Sequence, residues 1–252
     1  SVQRHVEDIH IQYPGVIKIL CFCGCKRNIN SSGDDRQKLK SVPFLMILLH
    51  TIPMKLYFAS GNLHKKMEME SLLEGIVGLT LPKDEGIVFD PDENGSSFVE
   101  NAIIKAKTLY DVVKAPVLSD DSGLCVKALD WGPGIHTARF GDTEEKKLDS
   151  REKYMLLLEK MKGVEDREAY FTCALCLYLS PTRIYVIQEE AKGKISLEPS
   201  LGKEGFGYDP VFFSDEAGKI VADLEKGEKG KYSHRGKAAR VMMELLKKEI
   251  EK

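Results

Sequence analysis

From Met54 to the C-terminus, short apolar runs alternate with stretches of helical periodicity, and this alternation constrains the fold more than any other feature. Four runs have the composition of strands, the last two as a hairpin: residues 55–59, 117–118, 169–179 and 183–190. Four stretches have helical patterns, the second opened by a capping box of Ser97 and Glu100: residues 62–73, 97–114, 146–161 and 234–250. Interleaved strands and helices predict an α/β fold.

The first 53 residues differ from the rest of the chain. They show no sustained helical or strand period, and they carry a cluster of cysteines at residues 21–25. The regular pattern begins at Met54. We therefore predict one functional domain over residues 54–252. Residues 1–53 are interpreted as an N-terminal extension, either an added segment or the product of an upstream start, with no assigned role.

Composition and charge disfavour several kinds of partner. With 252 residues, of which 42% are hydrophobic, the chain is long enough to bury a full core. A formal net charge of −2 gives no global basic field, which disfavours binding to nucleic acid or to a membrane surface. The longest apolar run, residues 44–49, is too short to cross a bilayer. We predict neither a nucleic-acid partner nor a membrane association.

The cysteines form no recognisable metal or disulfide framework. Cys173 and Cys176 lie in a strand-type run, where residues three apart face opposite sides, so one metal ion could hardly bind both. The cluster at residues 21–25 lacks a second ligand pair at zinc spacing. A reducing cytoplasm is therefore the expected location.

A strand, a small polar turn and a helix start follow one another at residues 55–65. This arrangement points backbone N–H groups and the positive end of the helix outward, which makes an anion site, and a lysine adds a mobile charge. The alternative is a simple capped turn with a solvated lysine, because the segment is not a Walker A loop. The candidate binding residues are Ser60, Gly61, Asn62, Leu63, His64 and Lys65.

An acidic run, Ser-Asp-Asp-Ser-Gly at residues 119–123, follows the strand that begins at Val117. We expect Asp120 and Asp121 to lie at the end of that strand, where catalytic groups of α/β folds collect. Adjacent carboxylates resist joint ionisation unless a cation stabilises them, and Mg²⁺ takes one or two protein carboxylates together with phosphate and water oxygens. Glu93, in an acidic loop, is a further candidate ligand. The alternative is a turn in which the aspartates cap backbone amides.

Two further segments combine glycine, aromatic and basic residues. At residues 205–210 aromatic side chains stand among glycines, where they can stack on a base or fill a core. A basic cluster surrounds the start of the last helix, where cations are disfavoured unless an anion is present, and this favours a functional role. The candidate residues are Phe206, Gly207, Tyr208, Asp209, Lys229, His234 and Arg235, with Ser233 as the N-cap.

The order and spacing of these segments closely resemble the inosine triphosphate pyrophosphatase family, the non-canonical purine NTP pyrophosphatases or XTP/dITP diphosphatases. The resemblance covers nearly all of residues 54–252, and one departure is Thr137, where the family commonly has serine. The matching motifs are Ser-Gly-Asn-x-x-Lys at residues 60–65, Phe-x-Glu-Asn-Ala-x-x-Lys-Ala at 98–106, Asp-Asp-Ser-Gly-Leu at 120–124, Pro-Gly-x-x-x-Ala-Arg-Phe at 133–140, Gly-Phe-Gly-Tyr-Asp-Pro at 205–210 and Ser-His-Arg-Gly at 233–236.

This resemblance implies a fold and an activity. The fold is an elongated α/β subunit with a mixed, twisted sheet, flanking helices and a central active-site cleft between two lobes. The activity is the Mg²⁺-dependent hydrolysis of ITP, dITP, XTP and dXTP to the monophosphate and pyrophosphate, which cleanses the nucleotide pool. A homodimer is implied as well.

The resemblance also implies roles for the acidic residues. Asp121 matches the family's proton acceptor and would bind the metal ion. Asp120 and Glu93 are candidates for a further metal ligand, and Ser122 would assist by hydrogen bonding.

The remaining candidates would bind the substrate. Lys65 and Lys229 would offset charge on the phosphates. By resemblance, residues 206–209 together with His234 and Arg235 contact the purine. A nucleotide-binding sensor without turnover is the alternative, and the retained aspartates and lysines argue against it.

Overall fold

The structure is a computed structural model that describes residues 16–20, 54–202, 204–225 and 227–251. Within these ranges the strands are β1 (Val16–Leu20), β2 (Met54–Ala59), β3 (Val77–Thr80), β4 (Val117–Val126), β5 (Glu168–Ser180), β6 (Arg183–Ile195), β7 (Phe212–Ser214) and β8 (Lys219–Ile220). The α-helices are α1 (Leu63–Leu72), α2 (Phe98–Val113), α3 (Ser150–Lys160), α4 (Lys229–Tyr232) and α5 (His234–Ile250). Among the described residues, no helix combines the length and the apolar character needed to cross a membrane.

The strands form one mixed sheet in the order β3-β2-β4-β5-β6-β7-β8, with β1 beside β6. Strands β3, β2 and β4 run parallel, because α1 and α2 provide the crossover connections that parallel strands need. From β4 to β8 each neighbouring pair is antiparallel, and β5 with β6 forms the predicted hairpin. The prediction of an α/β fold with a mixed sheet is confirmed.

Strand β1 lies inside the segment for which the sequence predicts no regular element. It pairs in parallel with the first half of β6, from Val16 opposite Arg183 to Leu20 opposite Ile187. A five-residue run is too short to establish a period, so the expectation is wrong at residues 16–20. The cysteine cluster at residues 21–25 lies outside the described residues, and the domain boundary at residue 54 stays a prediction.

Side-chain caps determine where the helices begin. Ser97 Oγ accepts the N–H of Glu100 at 3.2 Å, as predicted, but the Glu100 carboxylate accepts the N–H of Ser96 instead of closing the box on Ser97. At α3 the reciprocal box is complete, since Asp149 and Glu152 each accept the other's N–H, at 2.8 and 2.9 Å. This cap starts α3 at Ser150, so the helix predicted from residue 146 is about one turn too long.

Helices cover opposite faces of the sheet around β2 and β4. On one face, α1 and α5 bury Met69 and Met242 against a cluster that includes Cys173. On the other face, α2 buries Leu109 against a cluster that includes Cys176. The two cysteines therefore face opposite sides, as predicted, and cannot share one metal ion.

A further apolar cluster surrounds the far end of the long strands. It contains Leu124 of β4, Phe171 of β5, Ile195 of β6, Phe212 of β7 and Leu157 of α3. Strands β4, β5 and β6 thus run from one core region into the other. These regions correspond to the two lobes expected from the sequence.

Helices α4 and α5 approach each other so closely that a side chain does not fit at Gly236. A Cβ there would overlap the carbonyl group of Gly230. We expect Gly236→Ala to lower the free energy of unfolding by about 1–3 kcal/mol through overpacking, measured by urea denaturation. The control is Gly78→Ala in β3, where a Cβ meets no atom of the described residues within 4 Å, and stability should change by less than about 0.5 kcal/mol. Equal losses in both variants would contradict the tight α4–α5 contact.

Candidate active site

A cavity of about 470 Å³ lies between the two core regions. Its wall is formed by the turn between β2 and α1, the middle of β4, the loop before β7 and the starts of α3, α4 and α5. The predicted site residues on the wall are Asn62, Lys65, Ser122, Phe206, Gly207, Tyr208, Asp209, Lys229, His234 and Arg235. The predicted site residues that do not line it are Ser60, Gly61, Leu63, His64, Glu93, Asp120 and Asp121.

The turn between β2 and α1 is a capped helix start. Asn62 Oδ1 accepts the N–H of Lys65 at 3.2 Å, and Ser60 Oγ accepts the N–H of Asn62 at 3.1 Å. The exposed His64 ring stacks on Phe206 with centroids 5.7 Å apart. Because Asn62 and Lys65 also line the cavity, the capped turn offers a helix N-terminus to an anion there. The anion site and the capped turn, the alternatives predicted for this segment from its residues, are therefore compatible.

Strand β4 carries the acidic run through the sheet instead of ending before it. Asp120 pairs with Leu175 and Asp121 with Ala174 in an unbroken ladder with β5 that continues to Val126. Successive side chains of a strand point to opposite faces, so the two carboxylates diverge. The expectation that they lie together at a strand end is wrong, because pairing with β5 extends the strand past them.

Asp120 is surrounded by donors from the chain itself. Arg235 Nε donates to its Oδ2 at 2.7 Å, while Lys65 Nζ and Ser122 Oγ donate to its Oδ1 at 2.6 and 2.9 Å. Burial alone would raise the pKa of Asp120, but Arg235 and Lys65 hold that pKa well below its usual range. Both oxygens accept from protein cations, which favours Asp121 over Asp120 as the metal ligand. The interpretation of Asp120 as a candidate ligand stays a prediction.

Asp121 has one oxygen without a partner among the described residues. Its Oδ1 accepts from Lys105 Nζ at 2.6 Å, whereas its buried Oδ2 makes no hydrogen bond within this part of the chain. Burial raises the pKa of Asp121, although Lys105 acts in the opposite direction. Buried polar atoms are nearly always paired, so this oxygen points to a ligand that supplies a proton donor or a cation.

Glu93 is linked to Asp121 through Lys105, whose Nζ lies 3.5 Å from Glu93 Oε2. Within the described ranges, no group of three His, Cys, Asp or Glu side chains is placed to hold a metal ion. Two carboxylates nevertheless suit Mg²⁺, which completes its shell with water and phosphate oxygens. The unpartnered Oδ2 of Asp121 supports this fit.

Positive charge surrounds the Phe206 ring. Lys229 Nζ lies 4.6 Å from the ring centroid and the Arg235 guanidinium carbon 5.7 Å from it. The buried Asp209 carboxylate accepts hydrogen bonds from the N–H of Phe206 and from Lys229 Nζ, each 2.7 Å long. Gly205 has a φ of +83°, and a Cβ there would overlap this carboxylate. The loop therefore holds Phe206 as an aromatic platform between cations.

Tyr208 serves the core as well as the cavity wall. It belongs to the apolar cluster around Phe212, and its hydroxyl donates to the carbonyl oxygen of Thr137 at 3.2 Å. Thr137 Oγ1 in turn accepts the N–H of Leu124 at 2.8 Å and donates to the carbonyl oxygen of Gly134 at 2.6 Å. Serine would make the same bonds, so the departure at Thr137 preserves the hydroxyl that the local structure uses.

The start of α5 combines a neutral ring with a fixed charge. Ser233 caps the helix, as predicted. His234 is buried and stacks on Phe171, with centroids 4.8 Å apart and planes at 10°. Burial, with the neighbouring charges of Arg235 and Lys229, lowers the pKa of His234 well below its usual range, so the ring is neutral at pH 7.

Two charged residues at the site are not among the predicted site residues, although Lys105 is the lysine of the motif at residues 98–106. Lys105 lies on the inward face of α2 with Leu109, and a lysine on such a face signals a buried carboxylate partner. Glu68 follows Lys65 by three residues on α1 and therefore shares its face. Its Oε2 accepts from Arg235 NH1 at 2.7 Å. Spacing along each helix could have indicated both residues, but not their partners.

The fold and the site together define an α/β protein whose cleft suits a polyphosphate joined to an aromatic ring. The chain belongs to the Ham1 family, whose sequence profile matches residues 56–245. This finding confirms the resemblance seen in the motifs.

Several relatives are named dITP/XTP pyrophosphatase. The chain is 51% identical to that of Treponema denticola over 185 residues, 73% of this chain and 94% of the relative. It is 44% identical to that of Treponema pallidum over 208 residues, 82% of this chain and 76% of the relative. Among solved structures, a HAM1 protein from Coxiella burnetii matches with a TM-score of 0.69 and 32% identity, covering 77% of this chain and 99% of that one. The Staphylococcus aureus Ham1 protein matches with a TM-score of 0.68, 31% identity and the same coverage.

We expect Asp120→Asn to destabilise the protein and Asp121→Asn to leave it folded. Without the Asp120 charge, the buried Arg235 loses its main partner, which should lower the free energy of unfolding by about 3 kcal/mol or more. Asp121→Asn should lower it less, because burial already disfavours the charged form of Asp121, the amide oxygen can still accept from Lys105, and Glu93 remains 3.5 Å from Lys105 Nζ. Urea denaturation at neutral pH measures both variants.

Acid titration provides a second readout of the same difference. The folded-state pKa of Asp120 is depressed. The free energy of unfolding that this carboxylate contributes in the wild type is therefore fully present above its ordinary pKa of 3.8 and is lost as the pH falls below that value. The Asp120→Asn variant should lack this contribution to the pH dependence of the free energy of unfolding. Similar losses of stability in both variants would contradict the division of roles between the two aspartates.

Proposed function

We propose that the chain hydrolyses non-canonical purine nucleoside triphosphates, namely ITP, dITP, XTP and dXTP, to the monophosphate and pyrophosphate, and so removes them from the nucleotide pool. Membership of the Ham1 family and relatives named dITP/XTP pyrophosphatase support this proposal. The observation that carries it is the buried Oδ2 of Asp121, which has no hydrogen-bond partner among the described residues. This carboxylate is close enough to Lys65, on the cavity wall, for the lysine charge to lower its pKa.

In the proposed reaction, a water oxygen forms a bond to the α-phosphorus. The bond between the α-phosphorus and the oxygen that bridges to the β-phosphate breaks, and its electron pair leaves with pyrophosphate. Asp121 Oδ2 accepts the proton of the water as the general base. Lys105 orients the carboxylate by its 2.6 Å hydrogen bond to Oδ1.

Phosphate charge is offset at the N-terminus of α1. Lys65 and the N-terminal end of this helix are the groups of the chain that act there. The N–H groups of Ser60 and Asn62 already donate to the carbonyl oxygen of Phe58 and to Ser60 Oγ. Asp121 and Glu93 would hold Mg²⁺, which when bound supplies further positive charge to the phosphate oxygens. Ser122 contributes a hydroxyl on the cavity wall.

The Phe206 platform would stack on the purine. Lys229 and Arg235 flank this ring, so we assign Lys229 to the base end, although the sequence alone grouped it with the phosphates. The N–H donors of Lys229 and Arg235 can hydrogen-bond to a 6-oxo group, whereas they would face the 6-amino donor of adenine without an acceptor. A pocket that leaves such donors unpaired rejects the wrong base strongly. Hypoxanthine and xanthine would then be accepted in preference to adenine.

Assembly and location complete the proposal. The family resemblance supports Mg²⁺ dependence and a homodimer. Cys125, Cys173 and Cys176 are free, buried cysteines, and free thiols favour a reducing compartment such as the cytoplasm.

Asp121→Asn should lower kcat for ITP by about a thousandfold, since general bases contribute roughly that much and the variant also loses the metal-binding charge. Product formation measured by chromatography, with Mg²⁺ present, tests this. Asp166→Asn is the control, because this exposed carboxylate pairs with Lys127 on the surface, and its rates should be unchanged. Chelation should silence the wild type and added Mg²⁺ should restore it. A loss below about tenfold in Asp121→Asn, or turnover that survives chelation, would contradict the assignment.

Hydrolysis of ITP in ¹⁸O-labelled water tests which bond breaks. Attack on the α-phosphorus should place the label in IMP and leave pyrophosphate unlabelled. Mass spectrometry of both products measures this. Orthophosphate and IDP as first products would refute the mechanism, and binding of ITP without turnover would favour the sensor instead.

A further inference from the structure

Lys153 brings a positive charge to the cavity from the lobe opposite α1. It lies in the first turn of α3 and lines the cavity, and its side chain is 12% exposed. The other cations on the described part of the wall come from α1, α4 and α5, namely Lys65, Lys229 and Arg235. A polyphosphate in the cavity would therefore meet positive charge from both lobes.

Two hydrogen bonds hold the Lys153 ammonium group in place. Its Nζ donates to the carbonyl oxygen of Ala138 and to Asp142 Oδ2, the latter at 3.3 Å. Asp142 is itself fixed, because its Oδ1 accepts the N–H of Leu148 at 2.9 Å. A lysine ammonium group has three donors, and among the described residues Lys153 makes no further hydrogen bond. One donor therefore remains for a ligand in the cavity.

The backbone places Lys153 on the same side of β4 as Asp121. Successive residues of a strand alternate faces, so Gly123 shares the face of Asp121, about 7 Å further along β4. A Cβ at Gly123 would come within 2.6 Å of Thr137 Oγ1, so the segment of Thr137 and Ala138 packs on this face. Because Lys153 donates to Ala138, its ammonium group lies on the side of the strand that carries the proposed general base.

The counter-ion of Lys153 does not line the cavity. The carboxylates on the described part of the wall are those of Asp149 and Asp209, and Asp142 is not among them. Asp149 caps α3, and Asp209 is paired with Lys229 at 2.7 Å. An anion in the cavity therefore approaches the Lys153 ammonium group without first displacing Asp142.

We propose that Lys153 binds the phosphate chain of the nucleotide from the wall opposite the α1 turn and offsets charge on the pyrophosphate as it leaves. This inference rests on the proposed function. The free donor of the ammonium group bonds to a phosphate oxygen, while the bonds to Ala138 and Asp142 keep the group oriented. A hydrogen bond between charged groups changes binding by about tenfold to a hundredfold.

The test measures KM for ITP and the inhibition constant of inorganic tripolyphosphate, with Mg²⁺ present, in Lys153→Met. Neither constant depends on the fraction of folded enzyme. We expect both to rise by about tenfold to a hundredfold, because ITP and the inhibitor share the phosphate chain. Lys160→Met is the matched control on α3, since Lys160 is exposed and does not line the cavity, and both constants should stay as in the wild type.

Asp142→Asn separates phosphate binding from a structural role. It breaks the same ion pair but leaves the ammonium group at the cavity, so both constants should change far less than in Lys153→Met. Lys153→Gln keeps a donor for Ala138 without the charge, and both constants should rise in it as well. This variant decides the matter if Lys153→Met does not fold.

Equal increases of both constants in Lys153→Met and Asp142→Asn, or unchanged constants in Lys153→Met, would overturn the inference. A higher KM for ITP with unchanged inhibition by tripolyphosphate would place Lys153 at the nucleoside and would overturn it as well. A wild-type protein that does not hydrolyse ITP would instead refute the proposed function, and the inference with it.

Discussion

The buried ion pair between Asp120 and Arg235 is the interaction on which the rest of the site depends. It connects the middle of β4 to the first turn of α5 across 115 positions of the chain. Because an unpaired buried charge is strongly destabilising, each partner requires the other, and the remaining donors of Arg235 require Ser122 and Glu68. The cluster fixes where α5 meets the sheet, and with it the groups that surround Phe206.

Much of the fold was predictable because its signals are local. The caps at Asn62, Ser97 and Ser233 lie within a few residues of the amides they bind. The β5–β6 hairpin follows from two apolar runs across a short turn. Family motifs then brought the segments of the site together although they are far apart in the sequence.

The family resemblance assigned the proton acceptor to Asp121, but the partners of the two aspartates could not be predicted, because they come from distant elements. Nothing in the acidic run itself indicates which cation each carboxylate meets. Because β4 continues along β5, Asp120 faces Arg235 and Asp121 faces Lys105. The ion pair between Glu68 and Arg235 likewise forms only where α1 meets α5. Strand β1 depends in the same way on a long-range pairing with β6.

The two aspartates of β4 are adjacent in the sequence, yet their side chains lie in different environments on opposite faces of the strand. Inserting or deleting one residue between the start of the strand and the acidic run would reverse their faces. The buried arginine would then meet the wrong side chain, and the unpartnered carboxylate would enter the ion cluster. A point substitution in this strand changes one side chain, whereas a change in its length alters the surroundings of both aspartates at once. We therefore expect related sequences to keep the same number of residues between Val117 and Asp121 even where the intervening residues differ.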